Sequence, residues 1–267
     1  MQNNIKFEKI SIIGCGLIGS SILRNINKKE ISRSITVFDK SKEVIDIIKK
    51  EKLCDEISRD IPSAVKDSDL IILCVPLSSY KEILLSAKDH FKENAIITDT
   101  GSVKKEVNRI FENFNFKKIS WLASHPIAGT EESGPAAGFR DLFKDRWTII
   151  CEGKDSQKDK VEKLKKFWEF LGSKVKLMSF EDHDHILALT SHLPHAVAYN
   201  IVMTAIDTDD NETPFSNFFA VFALCCLIAL FISFLGSEII FLLASFAPRC
   251  ILCLILLNIL DFCNRWR

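Results

Sequence analysis

Short apolar runs alternate with segments of helical spacing through the first two thirds of the 267-residue chain. The run at residues 69–76 is almost continuously apolar, which is typical of a strand buried on both faces of a parallel sheet. Other segments place apolar residues three or four apart, as at Val44, Ile45 and Ile48. This alternation predicts an α/β fold, with helices on both faces of a doubly wound, mostly parallel sheet over residues 1–178.

The same pattern gives approximate boundaries for the individual elements. It predicts strands at residues 9–13, 34–39, 69–76, 95–99, 119–123, 146–151 and 174–178. It predicts helices at residues 42–52, 80–90, 105–114 and 156–171. A longer helical pattern runs from Phe180 to about Asp207, and Pro194 predicts a kink in it because proline removes a backbone hydrogen bond. We assign residues 179–212 to the start of a second, helical domain.

The pattern changes near residue 213. All Lys residues lie at or before Lys176, and residues 213–267 are an anomalous apolar tail with helical character. The charged residues of this tail are Glu238, Arg249, Asp261, Arg265 and Arg267.

Three interpretations of the tail remain open. An out-of-frame or rearranged reading of the gene accounts for the abrupt loss of Lys. A transmembrane hairpin fits Phe215–Ser237, which is long enough to span a bilayer, but the second segment, Ile239–Leu260, is broken by Pro248 and Arg249. A buried helical oligomer interface is the third interpretation, although the tail has almost no polar alternation.

Composition excludes some classes of partner. Lys and Arg together number 35, as do Asp and Glu, so the zero net charge offers no basic excess for nucleic acid. The polar start of the chain leads directly into the first strand and predicts no signal peptide. The cysteines of residues 1–212 show no disulfide or zinc spacing. We therefore expect a cytoplasmic protein, which is membrane-associated through residues 215–260 only if the tail is genuine.

A glycine motif follows the first strand and opens the first helix. Gly14, Gly16 and Gly19 form a G-x-G-x-x-G sequence, as in the Rossmann-type dinucleotide-binding turn. In that turn the first glycine allows the tight bend, the second lets the backbone approach the pyrophosphate, and the third allows close helix–strand packing. We expect Leu17 and Ile18, at the helix N-terminus, to complete the phosphate site.

An acidic residue and a second turn extend this predicted cofactor site. Asp39 ends the second strand, twenty residues after Gly19, where a carboxylate can hydrogen-bond the ribose hydroxyls. Its charge disfavours a 2′-phosphate, so we predict NAD rather than NADP, although Lys40 and Lys42 can soften this preference. Val75 and Pro76 end another strand at the predicted ligand edge of the sheet, and we include them in the cofactor site.

Two residues are candidates for catalysis. His125 follows a predicted strand and is expected in a loop at the ligand edge, where an imidazole can take a proton near neutral pH. Ser102 follows another strand and can orient His125 or a substrate hydroxyl. It is also well suited to cap the following helix, and the two roles can coexist. His185, His192 and His195 share a helical pattern. They lack the cysteine or acidic partners of a familiar zinc spacing, so we predict no metal site.

Five motifs stand in the order seen in prephenate/arogenate dehydrogenases, which the chain resembles over about residues 8–207. They are residues 14–21 (GCGLIGSS), 99–104 (DTGSVK), 124–131 (SHPIAGTE), 141–147 (DLFKDRW) and 191–195 (SHLPH). The resemblance implies NAD-dependent oxidative decarboxylation of prephenate to 4-hydroxyphenylpyruvate in tyrosine biosynthesis. Arogenate/cyclohexadienyl dehydrogenase activity is the alternative within the family.

The resemblance also implies roles for individual residues. His125 matches the catalytic histidine that hydrogen-bonds the ring hydroxyl, and Ser102 matches the serine that positions it. Thr130, Ser191 and His195 match substrate contacts, with His195 near the ring carboxylate.

The chain departs from the family after Asp207. The expected dimerisation helices and the arginine that grips the substrate carboxylate have no counterpart that we can identify in the sequence. The homodimer expected of the family is therefore doubtful here. A catalytically impaired NAD-binding remnant stays open as an alternative, and it predicts that residues 1–212 bind NAD⁺ with very weak turnover.

Overall fold

The computed structural model describes residues 6–26, 31–130, 132–153 and 156–207. It divides into two compact units, residues 1–184 and residues 185–267. The three interpretations of residues 213–267 therefore concern a segment outside the described residues. Within the described part of the chain, no helix is both long and apolar enough to span a bilayer.

The main sheet has six parallel strands. They are β1 (Phe7–Ile13), β2 (Ser32–Phe38), β3 (Glu56–Ile57), β4 (Leu70–Leu73), β5 (Ile96–Asp99) and β6 (Ser120–Trp121). Across the sheet they lie in the order β3-β2-β1-β4-β5-β6, and every neighbouring pair is parallel. The chain order reverses between β1 and β4, and sheets of this kind bind ligands beyond the carboxyl ends of the strands at that point.

Helices cover both faces of this sheet, as the apolar strands require. They are α1 (Leu17–Ile26), α2 (Lys42–Lys50), α3 (Ile61–Val65), α4 (Tyr80–Ala87), α5 (Lys105–Phe114) and α6 (Lys158–Phe170). Along β4, Leu70 and Ile72 join the buried cluster that includes side chains of α1, α2 and α6. Ile71 and Leu73 join the opposite cluster, with side chains of α3, α4 and α5. The predicted doubly wound α/β fold is therefore confirmed.

A second, three-stranded sheet follows in the chain. Its strands are β7 (Ala123–Pro126), β8 (Trp147–Cys151) and β9 (Lys174–Met178), with β7 antiparallel and β9 parallel to the central β8. The sequence predicts that His125 lies in a loop after the strand at residues 119–123. Instead, that strand ends at Trp121, and His125 lies within β7, paired with Ile149 of β8. The loop expectation was wrong because it used only local patterning, whereas β7 is defined by a partner 24 residues away.

The helical pattern from residue 180 onward is interrupted where proline predicts a kink. Helix α7 (Phe180–Leu187) and helix α8 (Leu193–Asp207) are separated by a π-helical turn, Ala188–His192. Pro194 stands just after this turn and has no N–H to give to Thr190, four residues earlier. The wider turn accommodates the missing hydrogen bond, as π-bulges commonly do within α-helices.

Candidate active site

The glycine turn between β1 and α1 is closely packed on one side. Gly14 has φ of +91°, a conformation that favours glycine, and a Cβ there would lie 2.5 Å from the Cys74 carbonyl oxygen and from Val75 Cγ1. A Cβ on Gly19 would collide with the Gly14 carbonyl oxygen. These two glycines are therefore required by the fold itself.

Gly16 differs from its two neighbours in the motif. A Cβ at this position would meet no heavy atom within 4 Å, so the turn is open on that side. Leu17 and Ile18, both half-buried, begin α1 beside it and contact the apolar core with part of their side chains. The turn thus provides an open space next to a helix N-terminus, which is the setting in which backbone N–H groups bind phosphate.

The Asp39 carboxylate is bound to the glycine turn. Its Oδ2 accepts a hydrogen bond from the Cys15 amide at 2.7 Å, and its Oδ1 accepts one from the Ser41 amide at 2.9 Å. The carboxylate therefore lies beside the turn at the carboxyl end of β2. Since Val75 lies close to Gly14, the ends of β2, β1 and β4 converge at the reversal point of the sheet, and Pro76 follows there.

A buried ion pair lies at the end of β5. Lys104 Nζ lies 2.6 Å from Asp99 Oδ2, and both side chains are completely buried. The same carboxylate oxygen accepts hydrogen bonds from the Tyr80 hydroxyl and the Gly101 amide, each at 3.0 Å. Burial, with Asp99 beside it, raises the pKa of Tyr80, which therefore remains a neutral donor. This network fixes the start of the loop that carries Ser102.

The ion pair is also joined to the strand that carries His125. Lys104 Nζ donates to the Ser124 carbonyl at 2.9 Å, and the Ser124 amide donates to Asp99 Oδ1 at 3.1 Å. The Ser124 hydroxyl donates to the Asp99 carbonyl oxygen at 2.7 Å. Ser124, the residue before His125, is thus held by three hydrogen bonds, two to the last residue of β5 and one to Lys104.

His125 is half-buried and contacts a second imidazole. Its Nδ1 lies 2.9 Å from Nε2 of His183, which is completely buried, and His183 Nδ1 lies 2.8 Å from Asp184 Oδ1. The Asp184 carboxylate also accepts hydrogen bonds from the amides of Lys104 and Lys105, at 2.8 and 2.9 Å. Two histidines and one carboxylate therefore form a continuous series of hydrogen bonds that ends at the N-terminus of α5.

The N-terminus of α5 bears on the predicted role of Ser102. The helix starts at Lys105 with Lys104 as its cap residue, whose side chain makes no capping hydrogen bond. Asp184 supplies the acceptors from elsewhere in the chain. The suggestion that Ser102 caps this helix was therefore wrong, and its side chain is exposed in the loop between β5 and α5.

The predicted substrate-site residues belong to two different units of the chain. Thr130 is half-buried in the loop after β7, and its hydroxyl accepts a hydrogen bond from the Glu132 amide at 3.3 Å. Ser191 and His195 belong to the second unit, where His195 Nδ1 donates to the Ser191 carbonyl oxygen at 2.7 Å. Because a carbonyl oxygen only accepts, His195 carries a proton on Nδ1. It can donate from Nε2 to a carboxylate only when the ring is doubly protonated.

Sequence reasoning missed His183 and Asp184. The sequence EDHDH at residues 181–185 was a possible signal, because it places a carboxylate next to each histidine. No spacing in the sequence links His183 to His125, which is 58 residues earlier.

Two family models match most of the described chain. The family model described as "Prephenate dehydrogenase, nucleotide-binding domain" matches residues 22–177, and the one described as "Prephenate dehydrogenase, dimerization domain" matches residues 179–222. The second match crosses residue 213, where the charge pattern changes.

Similar sequences carry related names. A cyclohexadienyl dehydrogenase of Zymomonas mobilis is 39% identical over 73% of this chain and 67% of its own length. A prephenate dehydrogenase of Lactococcus lactis is 31% identical over 75% of this chain and 54% of its own length. The matched region thus spans from about half to two thirds of these relatives.

A solved structure shares the fold. Prephenate dehydrogenase from Aquifex aeolicus, in complex with hydroxyphenyl propionate and NAD⁺, superimposes with a TM-score of 0.72 over 97% of this chain and 99% of that chain, at 24% sequence identity. The structural match confirms the predicted Rossmann-type fold, and the nucleotide-binding family model and the similar sequences confirm the predicted nucleotide cofactor and the family resemblance. With more than half of its length matched by the nucleotide-binding domain, the chain belongs to the prephenate dehydrogenase family.

Proposed function

We propose that this protein catalyses the NAD-dependent oxidative decarboxylation of prephenate to 4-hydroxyphenylpyruvate. The observation that carries the proposal is the His125–His183–Asp184 chain, which provides an oriented imidazole in the nucleotide-binding unit of a member of this family. The Aquifex aeolicus structure, which has the same fold, contains NAD⁺ and hydroxyphenyl propionate.

The residues of the glycine turn fit a dinucleotide. The open side of Gly16 leaves room for a pyrophosphate beside the N-terminus of α1, and Asp39 is placed to accept ribose hydroxyls. We assign Gly14, Gly16, Leu17, Ile18 and Gly19 to this site, with Val75 and Pro76 after β4 at its edge. When bound, the nicotinamide supplies the hydride acceptor.

The chain's own residues handle the proton and the position of the substrate. Prephenate is a cyclohexadienol, and oxidation at its carbinol carbon requires removal of the hydroxyl proton, which His125 accepts. Ser102 orients that hydroxyl or the imidazole. The dienone that results loses CO₂ and becomes aromatic, so the protein contributes mainly orientation, which is worth up to about 7–11 kcal/mol in favourable cases.

We propose that Thr130, Ser191 and His195 contact the substrate. A protonated His195 is suited to a carboxylate, because its Nδ1 is already committed to the Ser191 carbonyl and only Nε2 remains to donate. These assignments rest on the family motifs and on this local geometry.

The second candidate function is a broader cyclohexadienyl dehydrogenase activity, which accepts arogenate as well. It is favoured by the 39% identity to the Zymomonas mobilis enzyme, which exceeds the 31% identity to the Lactococcus lactis prephenate dehydrogenase. Parallel assays with prephenate and arogenate distinguish the two functions, since a broad enzyme gives comparable kcat/KM for both substrates.

The activity is tested with the full chain, NAD⁺ and prephenate, by the appearance of NADH. His125→Asn keeps a donor near the position of Nδ1 but removes the base, so kcat should fall about 10²- to 10⁴-fold while the Kd for NAD⁺ stays unchanged. His90→Asn, on an exposed histidine, is the matched control. Unchanged kcat in His125→Asn would refute the assigned role. NAD⁺ binding without turnover of prephenate or arogenate would favour the impaired remnant.

We also propose that the protein assembles as a homodimer. The support is the match of residues 179–222 to the dimerization domain of the family. Sedimentation of the full chain measures the mass in solution, and a monomer would contradict the proposed homodimer.

The proposed location is the cytoplasm. Cell fractionation of the same chain tests it, and recovery with membranes would contradict it.

A further inference from the structure

The proposed function uses an oriented His125 imidazole, but it does not say how His183, which contacts His125, and Asp184, which contacts His183, determine where the protons lie. We propose that His183 and Asp184 are positioning residues that fix the tautomer of His125, so that its Nε2 carries the lone pair that receives the substrate proton. This inference rests on the proposed function for its chemistry, but its geometry stands on the contacts of the first unit alone.

The direction of each hydrogen bond follows from Asp184, the last group in the hydrogen-bonded series His125–His183–Asp184. The Asp184 carboxylate accepts from the backbone amides of Lys104 and Lys105, and an ionised carboxylate has no proton to donate. His183 must therefore donate from Nδ1 to Asp184 Oδ1, 2.8 Å away. A neutral imidazole with a proton on Nδ1 has only a lone pair on Nε2.

That lone pair determines the state of His125. Since His183 Nε2 can only accept, His125 Nδ1, at 2.9 Å, must be the donor. With its proton on Nδ1, a neutral His125 has its basic lone pair on Nε2. The Asp184 carboxylate therefore determines which ring nitrogen of His183 carries the proton, and His183 in turn determines which ring nitrogen of His125 carries it.

The electrostatics of the first unit keep His183 neutral and Asp184 ionised. Burial lowers the pKa of His183, and nearby Lys104 acts in the same direction, whereas Asp184 and Asp99 oppose them less strongly. Burial alone would raise the pKa of Asp184, but hydrogen bonds from the Lys105 amide, the His183 ring and the Lys104 amide outweigh it and lower that pKa. A doubly protonated His183, which would disrupt the order of donors, is thus disfavoured.

The direct test is nitrogen NMR of the full-length chain with ¹⁵N-labelled histidine. The ring nitrogens of His125 and His183 are assigned by their loss in His125→Asn and His183→Gln. We expect protonated Nδ1 and unprotonated Nε2 on both rings at neutral pH. A proton on His125 Nε2 in place of Nδ1 would overturn the proposal.

Two substitutions of His183 give a kinetic test. His183→Phe fills a similar volume but offers no acceptor, so kcat should fall by roughly 10- to 100-fold, the range found when the partner that orients a histidine ligand is removed. His183→Gln places a carbonyl oxygen near the position of Nε2, which can accept from His125 Nδ1, and should restore most of kcat. His90→Gln is the matched control.

A merely structural role of His183 predicts a different pattern. In that case both substitutions lower the melting temperature and NAD⁺ affinity together, and glutamine rescues kcat no better than phenylalanine. Either that pattern or wild-type kcat in His183→Phe would refute the positioning role. The NMR result does not depend on turnover, so an inactive wild-type chain with the expected tautomers would overturn the proposed function and leave the positioning geometry intact.

Discussion

Asp39 is bound on both carboxylate oxygens by backbone amides of its own unit. Such a carboxylate is pre-oriented before any ligand arrives, and its remaining lone pairs can accept ribose hydroxyls. The same charge repels a 2′-phosphate, while Lys40 and Lys42, close in sequence, carry charges that would attract one. We therefore expect the preference between NAD and NADP to depend on the balance between the Asp39 carboxylate and these two lysines.

We expect Asp39→Asn to weaken NAD⁺ binding about tenfold and to narrow the difference between NAD⁺ and NADP⁺. Loss of a charged acceptor weakens the ribose contact by about 1.4 kcal/mol or more, and loss of the charge removes the repulsion of phosphate. Kd values for both nucleotides measure the effect. Asp46→Asn, on an exposed residue of α2, is the matched control and should leave both Kd values unchanged. An unchanged ratio in Asp39→Asn would contradict this account.

The lowered pKa of His183 predicts a pH dependence of stability. The unfolded chain protonates this histidine more readily than the folded chain, so the free energy of unfolding should fall as the pH drops through about 6.5. The contribution of Asp184, whose pKa is also lowered, is lost only below about pH 4. The groups that face His183 are His125, Asp184, Lys104 and Asp99.

Urea unfolding at pH 7 and pH 5 measures this dependence. The decrease in the free energy of unfolding between these values should be smaller in His183→Gln than in the wild type, because the variant lacks the titrating group. His90→Gln should keep the wild-type decrease. An identical decrease in His183→Gln would show that burial of His183 does not shift its pKa.

At the scale of elements, two glycines of the same turn have different roles: Gly14 is required by the fold, and Gly16 leaves room for the cofactor. Gly14→Ala combines an unfavourable φ with a collision at Cys74 and Val75, so it should lower the free energy of unfolding by at least about 1–3 kcal/mol. Gly16→Ala meets open space and should unfold like the wild type. It should nevertheless weaken NAD⁺ binding about tenfold or more, because the methyl group occupies the space for the pyrophosphate. Thermal unfolding and nucleotide titration of both variants decide the point.

The Lys104–Asp99 pair joins β5 to the backbone of β7. Lys104→Met leaves a buried carboxylate without its cation and should lower the free energy of unfolding by about 3–5 kcal/mol. Arg109→Met, which breaks the exposed pair with Glu106 on α5, is the matched control and should change little. Urea unfolding compares the two variants, and equal losses would mean that burial of the ion pair is irrelevant to stability.

Sequence patterning predicted most strands and helices but missed β3 and α3. Strand β9 and helix α5 have the predicted boundaries. Strand β3, with two residues, and helix α3, with five, were not predicted, although Asp60 and Pro62 form a recognisable helix start. Strand β3 has no fully buried side chain, and the buried side chains of α3 are the adjacent Ala64 and Val65, so neither segment shows the apolar spacing that predicts a strand or a helix.

At the scale of the whole molecule, the geometry that depends on one turn was predictable, and the geometry that depends on contacts between elements far apart in the sequence was not. The glycines and Asp39 lie in a local motif whose geometry follows from the strand–turn–helix unit. His183 contacts His125 because β7 belongs to the second sheet, together with β9, and α7 directly follows β9 along the chain. That arrangement is a property of tertiary structure, which polarity alone does not encode.

The hydrogen bonds of Asp184 to the start of α5 have a consequence for synthesis on the ribosome. All six strands of the main sheet are encoded before residue 122, and α6, which covers one of its faces, ends at Phe170, so a nascent chain can assemble the nucleotide-binding surface once α6 has been made. The Asp184 carboxylate, on which the order of the two imidazoles depends, is translated after all of these elements. A growing polypeptide should therefore acquire cofactor affinity before it acquires an aligned base, and premature arrest between these points would release a binder without a catalyst.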